Sequence, residues 1–522
     1  VSGLSRRTLL QLSAAGVTTV AVPVTTARPA TTRAATEQTY RCQYHFTVPE
    51  QWKNDPQRPI RINGQLHYYY LYNADYLSDG GGTAWRLATT TDNVVFRDEG
   101  ISIPKFTTPN GDVWSGSVVV DTDNTAGFGE GSVIVLATQP DGQNGGAQAQ
   151  FLWYSTDGGF TFTNHGKDPV MPNPGVSNFR DPKIIRDSDR GRWVTLLAEG
   201  NKVGFYVSQD LKNWNYVSGF IKNGLGPLEC PDLFHLTSSD GSATWVLGVS
   251  ADGGDAGLPK TFAYWTGHFD GTTFHPDASA PQWLDHGFDW YAAVTWEKPA
   301  GDGVDPTTRY AMAWMNNWDY AHNTPTTEAD GYNGVDSIVR EITLREQSSG
   351  QLSLVSRPVD ALYDRVARTI DLGTITVDGE HPLPFQGVAY EIRAEVTWGM
   401  LENVGMQLRK SSDGSRHIDL GVFGDYAYLN RAATGHPDQS GQWLESHTPF
   451  DPAAKRVDLR ALVDRTTIEL FLDDGRYVHS HLVFPDPTDT GVTLFTVGGA
   501  AVFSSVVIRE FDPIRPPEKP LP

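Results

Sequence analysis

Three carboxylates stand in local contexts unlike those of the chain's other acids. Asp55 lies in Gln51-Trp52-Lys53-Asn54-Asp55-Pro56-Gln57-Arg58-Pro59, Asp181 in Asn178-Phe179-Arg180-Asp181-Pro182-Lys183, and Glu229 in Gly226-Pro227-Leu228-Glu229-Cys230-Pro231-Asp232. Each sits beside a Pro-marked turn that leads into a strand. A turn alone needs only Asn-Asp-Pro, because an Asx side chain caps the turn and Pro fixes φ. The added Trp52, Asn54 and Arg180 suit a site that holds a polar ligand with an apolar face. Any one Asp-Pro reads as an ordinary turn; three blocks with a Trp and an Arg attached read as a site. Acids gathered together are costly unless a proton or a ligand relieves their repulsion. Such a group can divide the work of glycoside cleavage, one carboxylate attacking the anomeric carbon and another protonating the leaving oxygen.

The elements that must position these acids are strands. From about Tyr40 to Glu346, runs such as 117–120, 133–137 and 193–197 have strand length and end in Gly, Asp, Asn or Pro. A weak repeat recurs at 91–96, 155–160 and 208–214, with a looser copy at 269–274: a strand-like run, an Asp turn, then an aromatic. Ordinary hairpins also use such turns, but four copies favour propeller blades, whose inner strands point side chains into a central channel. After residue 350 the alternation becomes strict, as in 389–396, 457–464 and 467–472, which marks sandwich strands. The expected division is a propeller over 37–350, a linker over 351–364 and a β-sandwich over 365–522. Glu469 is expected to face solvent from a sandwich strand.

Composition narrows the partners. At 522 residues the chain exceeds one ordinary core. Its 15 Trp and 20 Tyr exclude a disordered chain, and a net charge of −21 argues against a nucleic-acid groove. An acidic, aromatic-rich surface suits a sugar, whose faces stack on rings while its hydroxyls meet carboxylates. Residues 1–36 read as a twin-arginine export signal, with Ser5-Arg6-Arg7-Thr8-Leu9-Leu10 ahead of an apolar stretch and cleavage between Ala27 and Thr36. The expectation is a secreted protein with no membrane span afterwards. Cys42 and Cys230 imply no disulfide framework, and His and Cys never come together at ligand spacing, so neither metal nor cofactor is expected. No His lies near Cys230 in sequence to activate it as a nucleophile.

The three blocks, in this order, resemble those of glycoside hydrolase family 32, the inulinase–levanase–invertase family. Trp52-Lys53-Asn54-Asp55-Pro56, Arg180-Asp181-Pro182 and Glu229-Cys230-Pro231 carry the resemblance. Trp114-Ser115-Gly116-Ser117, Asp289-Trp290-Tyr291-Ala292, Trp314-Met315-Asn316-Asn317-Trp318 and Val339-Arg340-Glu341 extend it. The resemblance implies an all-β fold, a five-bladed propeller followed by a C-terminal sandwich, and retaining chemistry on β-fructofuranosides without a metal. It implies Asp55 as nucleophile, Glu229 as acid/base, and Asp181 with Arg180 holding hydroxyls and stabilising the transition state. Asn54 would orient the sugar, with Trp52 and Ser115 also at the substrate. Trp85, Trp114 and Trp318 are candidate platforms for outer sugars, with core packing as their alternative role.

The chain departs from the family at Gln57-Arg58, at Leu71 and at Trp85-Arg86-Leu87, positions expected to line the donor pocket and its rim. In a retaining enzyme the covalent fructosyl intermediate passes to water or to a sugar hydroxyl, whichever is better held. The variant block resembles that of bacterial levan fructotransferases. The leading expectation is therefore intramolecular transfer on β-2,6-fructan, giving a difructose dianhydride. Levanase or inulinase hydrolysis is the alternative. A related family that cleaves arabinans by inversion lacks the Trp-x-Asn-Asp-Pro block, and a non-catalytic fructan-binding protein leaves the three acids unexplained. Fructan is the expected partner, with a homo-oligomer left open.

Overall fold

The computed structural model describes residues 39–514, apart from 254–256, 302, 437–440 and 442. The segment expected to be an export signal, residues 1–36, lies outside the described residues. Five sheets form the blades of a propeller, antiparallel except where Tyr332–Asn333 joins Gln51–Ile62 of the first in parallel. The first is built from Gln51–Ile62, Gln65–Asn73, Ala84–Thr90 and Arg97–Ile103, the second from Gly116–Asp121, Ser132–Asp141, Ala147–Ser155 and Thr163–Asn164. The third holds Arg180–Asp187, Arg192–Glu199, Lys202–Ser208 and Asn215–Ile221, and the fourth begins Leu228–Thr237, Ala243–Ala251, Phe262–Phe269. The fifth comprises Tyr291–Ala300, Gly303–Trp314, Arg340–Glu346 and Leu352–Pro358. The first strands of neighbouring blades pack on one another, so they line the channel. Apolar layers seal the blades together, for example Leu87, Val118 and Val135 between the first two.

The sequence repeat turns out to be one device used four times. Each copy is the turn between the third and fourth strands of a blade, and in each the Asp accepts backbone N–H bonds: Asp92 from Val94, Asp157 from Phe160, Asp210 from Lys212, Asp270 from Thr272. These bonds satisfy donors that the reversing chain cannot pair in the ladder. The fifth blade turns through 347–351 without the Asp. Its last strand, Leu352–Pro358, pairs along its length with Arg340–Glu346. The stretch expected as a linker therefore supplies the outer edge of that blade, and a 3₁₀ turn at Asp360–Arg365 makes the connection.

Two six-stranded sheets form the sandwich. Alternation along Tyr390–Trp398 and Arg456–Val463 sends Ile392, Ala394, Val396, Leu459 and Ala461 into the layer between the sheets. The other face of one sheet is not free. Leu462, Phe471 and Val478 share an apolar cluster with Tyr68, Trp296 and Val339 of the propeller. Glu469, expected in solvent, is fully buried there, accepting from Arg340 and from the backbone N–H of Ile338. Arg340 also pairs with Asp285 at 2.8 Å. His45 bridges Asp464 and Glu469 at 3.0 Å each. Alternation reveals which residues share a face, but not whether a second domain covers that face. Among the described residues, no helix is long and apolar enough to cross a membrane.

Candidate active site

The acids gather where the inner strands are kinked. Asp181, Cys230 and Ala292, second or third in their inner strands, have φ of +59°, +47° and +51°. Register shifts accompany them, between Glu229 and Asp232 and between Tyr291 and Val294, and in the first blade between Lys53 and Pro56. A non-glycine residue held this way costs about 1–3 kcal/mol, and such strain concentrates at functional sites. A bulge re-aims the side chains beside it. Here the bulges bring Asp55, Asp181 and Glu229 to one end of the channel. The prolines at 56, 182 and 231 follow because a bulged inner strand has little use for those N–H groups. Two hydrogen bonds fix the strained peptides: Asp181 N–H donates to Thr138 Oγ1 and Cys230 N–H to Asp181 Oδ2, both at 3.1 Å.

Each acid has distinct company. Asp55 Oδ2 accepts from Ser115 Oγ at 2.7 Å, and Oδ1 from Asn54 Nδ2 at 3.2 Å. Asn54 is itself steered by Trp52, whose Nε1 donates to Asn54 Oδ1 at 3.0 Å. Glu229 Oε1 accepts from Arg180 NH2 at 2.7 Å, and Oε2 from the Tyr291 hydroxyl. Burial raises the Asp55 carboxyl above the usual range, the Ser115 bond pulls it back and the Glu229 charge raises it further. Asp181 is pushed up to about 7, by burial first and then by Glu229 and Asp55 against the pull of Arg180. Burial and the surrounding acids hold the Cys230 thiol well above its ordinary value, so it stays protonated and no nucleophile.

Trp52, Asn54, Asp55, Trp114, Ser115, Arg180, Asp181, Glu229 and Trp318 all line an open cavity of about 510 Å³. Trp85 does not: it is wholly buried between blades, with Nε1 donating to Trp114 O. Its candidacy as a sugar platform is corrected to a core role that supports Trp114 from behind. Trp318 is 48% exposed and packs at a tilt against Trp314, while Trp52 stacks on His322. Sequence reasoning missed Gln148, Tyr291, Asp112 and His322 as wall residues. Tyr291 stands in a quoted block and was within reach; Gln148 and His322 have no local signal. Phe106 also went unnoticed. Exposed and at φ +58°, its ring tip lies against Gly82, a residue of the cavity wall.

The departures at 57, 58 and 86 prove to lie behind the wall. Gln57 Nε2 bonds Ser115 Oγ and Asp55 O, and its Oε1 accepts from Gly116 N–H. Arg58 holds Pro231 O at 2.7 Å, and Arg86 makes a two-pronged pair with Asp98. Of the expected rim positions only Leu71 faces the cavity. Among the described residues one group, Cys42, His45 and Asp464, approaches metal-ligand geometry. His45 already spends both ring nitrogens on carboxylates, and burial pushes the Cys42 thiol up, so the donors suit hydrogen bonding better than a cation.

Comparison with known proteins agrees with this geometry. Residues 45–358 match the description "Glycosyl hydrolases family 32 N-terminal domain", and residues 359–510 match "Glycosyl hydrolases family 32 C terminal". A levanbiose-producing levanase of Bacillus subtilis is 50% identical over 487 residues, 93% of either chain. One of Geobacillus stearothermophilus is 50% identical over 400 residues, 76% of this chain and all of that one. The crystal structure of an exo-inulinase from Aspergillus awamori superposes with a TM-score of 0.82 at 27% identity, covering 92% of this chain and 99% of that one. The chain belongs to glycosyl hydrolases family 32 and is a retaining glycoside hydrolase. The expectation of intramolecular transfer is overturned by these levanase relatives. Its physical basis is weakened too: Gln57, Arg58 and Arg86 do not reach the cavity, and Leu71, which does, is apolar and cannot hydrogen-bond an acceptor sugar.

Proposed function

We propose that this family 32 enzyme hydrolyses levan, the β-2,6-linked fructan, and releases levanbiose. Half-identity to levanbiose-producing levanases along 93% of both chains is the observation that carries the reading. Asp55 attacks the anomeric carbon and forms a covalent fructosyl ester, while Glu229 gives a proton to the leaving oxygen. Esterification removes the Asp55 charge just as Glu229 gives up its proton and takes on one. Glu229 then takes a proton from water, which attacks the ester. Asp181 and Arg180 hold fructose hydroxyls, and Asn54 aligns the sugar with Asp55. A fixed anion beside an oxocarbenium-like centre is worth most in such a half-dry cavity. The twin-arginine N-terminus, together with relatives named as extracellular exo-inulinases, supports a secreted enzyme.

Product analysis tests the reading. Levan incubated with the protein should give reducing levanbiose, and inulin should be cleaved far more slowly. Asp55→Asn should abolish turnover while leaving levan binding in place. A non-reducing product, or full activity in the Asp55 variant, would overturn it.

A further inference from the structure

The channel has a second end. Beyond the acids, the C-terminal halves of all five inner strands surround a separate cavity of about 630 Å³. Arg58, Arg61, Lys183, Arg186 and Arg309 line it, against the acids Glu297 and Asp305. That balance is the reverse of the whole chain, where 62 acidic residues outnumber 41 Lys and Arg. One layer inward, Asp232 is fully buried, with Lys183 at 3.0 Å and Arg58 at 3.9 Å. Arg309 is turned to Thr295, its Nε 2.7 Å from Oγ1. Asp305 is already engaged by the N–H and hydroxyl of Thr307. Among the described residues, three buried N–H atoms of lining residues find no acceptor, Arg61 Nε, Arg186 NH1 and Trp296 Nε1, although Arg186 NH2 already pairs with Asp123 at 2.9 Å. A buried donor left unmet is costly, and buried like charges are worse. The cost of gathering the cations falls if an anion enters.

We propose that this far end of the channel binds a small tetrahedral oxyanion of the phosphate or sulfate type. Arginine forks match such an anion through paired N–H donors, and a lysine adds a point charge. The cavity has room for one with its water. The site lies on the same strands as the catalytic acids but at the opposite mouth, so it takes no part in holding fructan.

Calorimetric titration of the whole protein with inorganic phosphate, and separately with sulfate, at fixed ionic strength made up with chloride, tests this. One saturable site is expected, with a saturable rise in Tm. Arg186→Gln and Arg61→Gln, at the wetter mouth, should each weaken phosphate by about tenfold, the worth of one lost charge-assisted bond. Both should keep wild-type turnover of levan, which shows the fold intact. Arg309→Gln should weaken it further. Absence of saturable binding, equal affinity in the Arg186 and Arg61 variants, or displacement by chloride as strong as phosphate would each overturn the proposal.

Discussion

Replacing Ser115 with Ala should move the acid limb of the pH–rate profile to higher pH. The Ser115 hydroxyl donates to Asp55 Oδ2 at 2.7 Å and holds that carboxyl below where burial and Glu229 would put it. A hydrogen bond to an ionised group is worth about 1.5–3 kcal/mol, of which a neutral acid keeps part. The surviving difference of about 1.4 kcal/mol corresponds to about one pH unit. The neighbouring donors are poorly placed to replace the bond: Cys230 Sγ is 3.9 Å from the same oxygen and a weak donor, and Gln57 Nε2 is held by Asp55 O. The sign is fixed. Ser115 favours the anion, so its loss raises the Asp55 pKa, and a nucleophile that must be ionised is then lost at higher pH. On the acid side kcat/KM for levan should fall about tenfold, while the plateau falls less. Ser115→Thr, which keeps a hydroxyl, should leave the limb in place. Asn54→Ala should shift it less, since that bond is 3.2 Å. A limb that stays put while the rate falls uniformly would reduce Ser115 to packing. A limb that moves down would remove Asp55 as the ionising nucleophile.

The interface between propeller and sandwich gives further tests. Arg340→Met leaves Glu469 and Asp285 buried without their shared cation and should cost about 3–5 kcal/mol in urea unfolding, with turnover per folded molecule retained. Stability should peak near pH 6.5, for two opposed reasons. Burial pushes His286 down to about 3, so the unfolded chain takes up a proton that the fold refuses, and stability falls as pH drops below about 6.5 toward 3. Burial opposes charge on His45 as well, but Asp464 and Glu469 win and push it up to about 9. Its contribution is complete below about 6.5 and lost as pH rises through 9. A Tm profile without a maximum between those limits would refute this assignment. Trp318→Ala and Phe106→Ala should each raise KM for levan by about three- to tenfold, the worth of one ring contact, without lowering kcat. Trp85→Phe should instead lower Tm and leave KM alone.

What could be read from the chain follows from how local each signal is. Asp55, Asp181 and Glu229 were legible because bulge, acid and proline occupy three or four consecutive positions. The Asp turns were legible for the same reason. Gln148 reaches the cavity from a strand of the second blade and His322 from a loop of the fifth, where only the closed ring makes them neighbours. Gln57 and Arg58 misled because they sit beside Asp55 in sequence, and a register shift between Gln57 and Ile60 follows directly after the one between Lys53 and Pro56. Adjacency along a bulged strand does not place neighbours on one face. Glu469 misled in the opposite way. Its alternation is genuine, but the face it marks is covered by Arg340 and His45, from segments more than a hundred residues away.

The same strands carry opposite charge at their two ends, and this arrangement bears on catalysis. Two residues past Asp181 comes Lys183, three past Asp55 comes Arg58, and three past Glu229 comes Asp232, which pairs with Lys183. The net positive layer lies directly behind the acids and favours their ionised forms. Burial and mutual repulsion push the other way, and at Asp55 and Asp181 they prevail. A cluster with no cations behind it would protonate Asp55, the proposed nucleophile. Arg58 also grips Pro231 O, so the charge that offsets the acids fixes the peptide two residues beyond Glu229 as well. Exchanging Arg58 for Lys would keep the charge and lose the fork. It should therefore disturb the position of Glu229, and with it kcat, more than the acid limb set by Asp55.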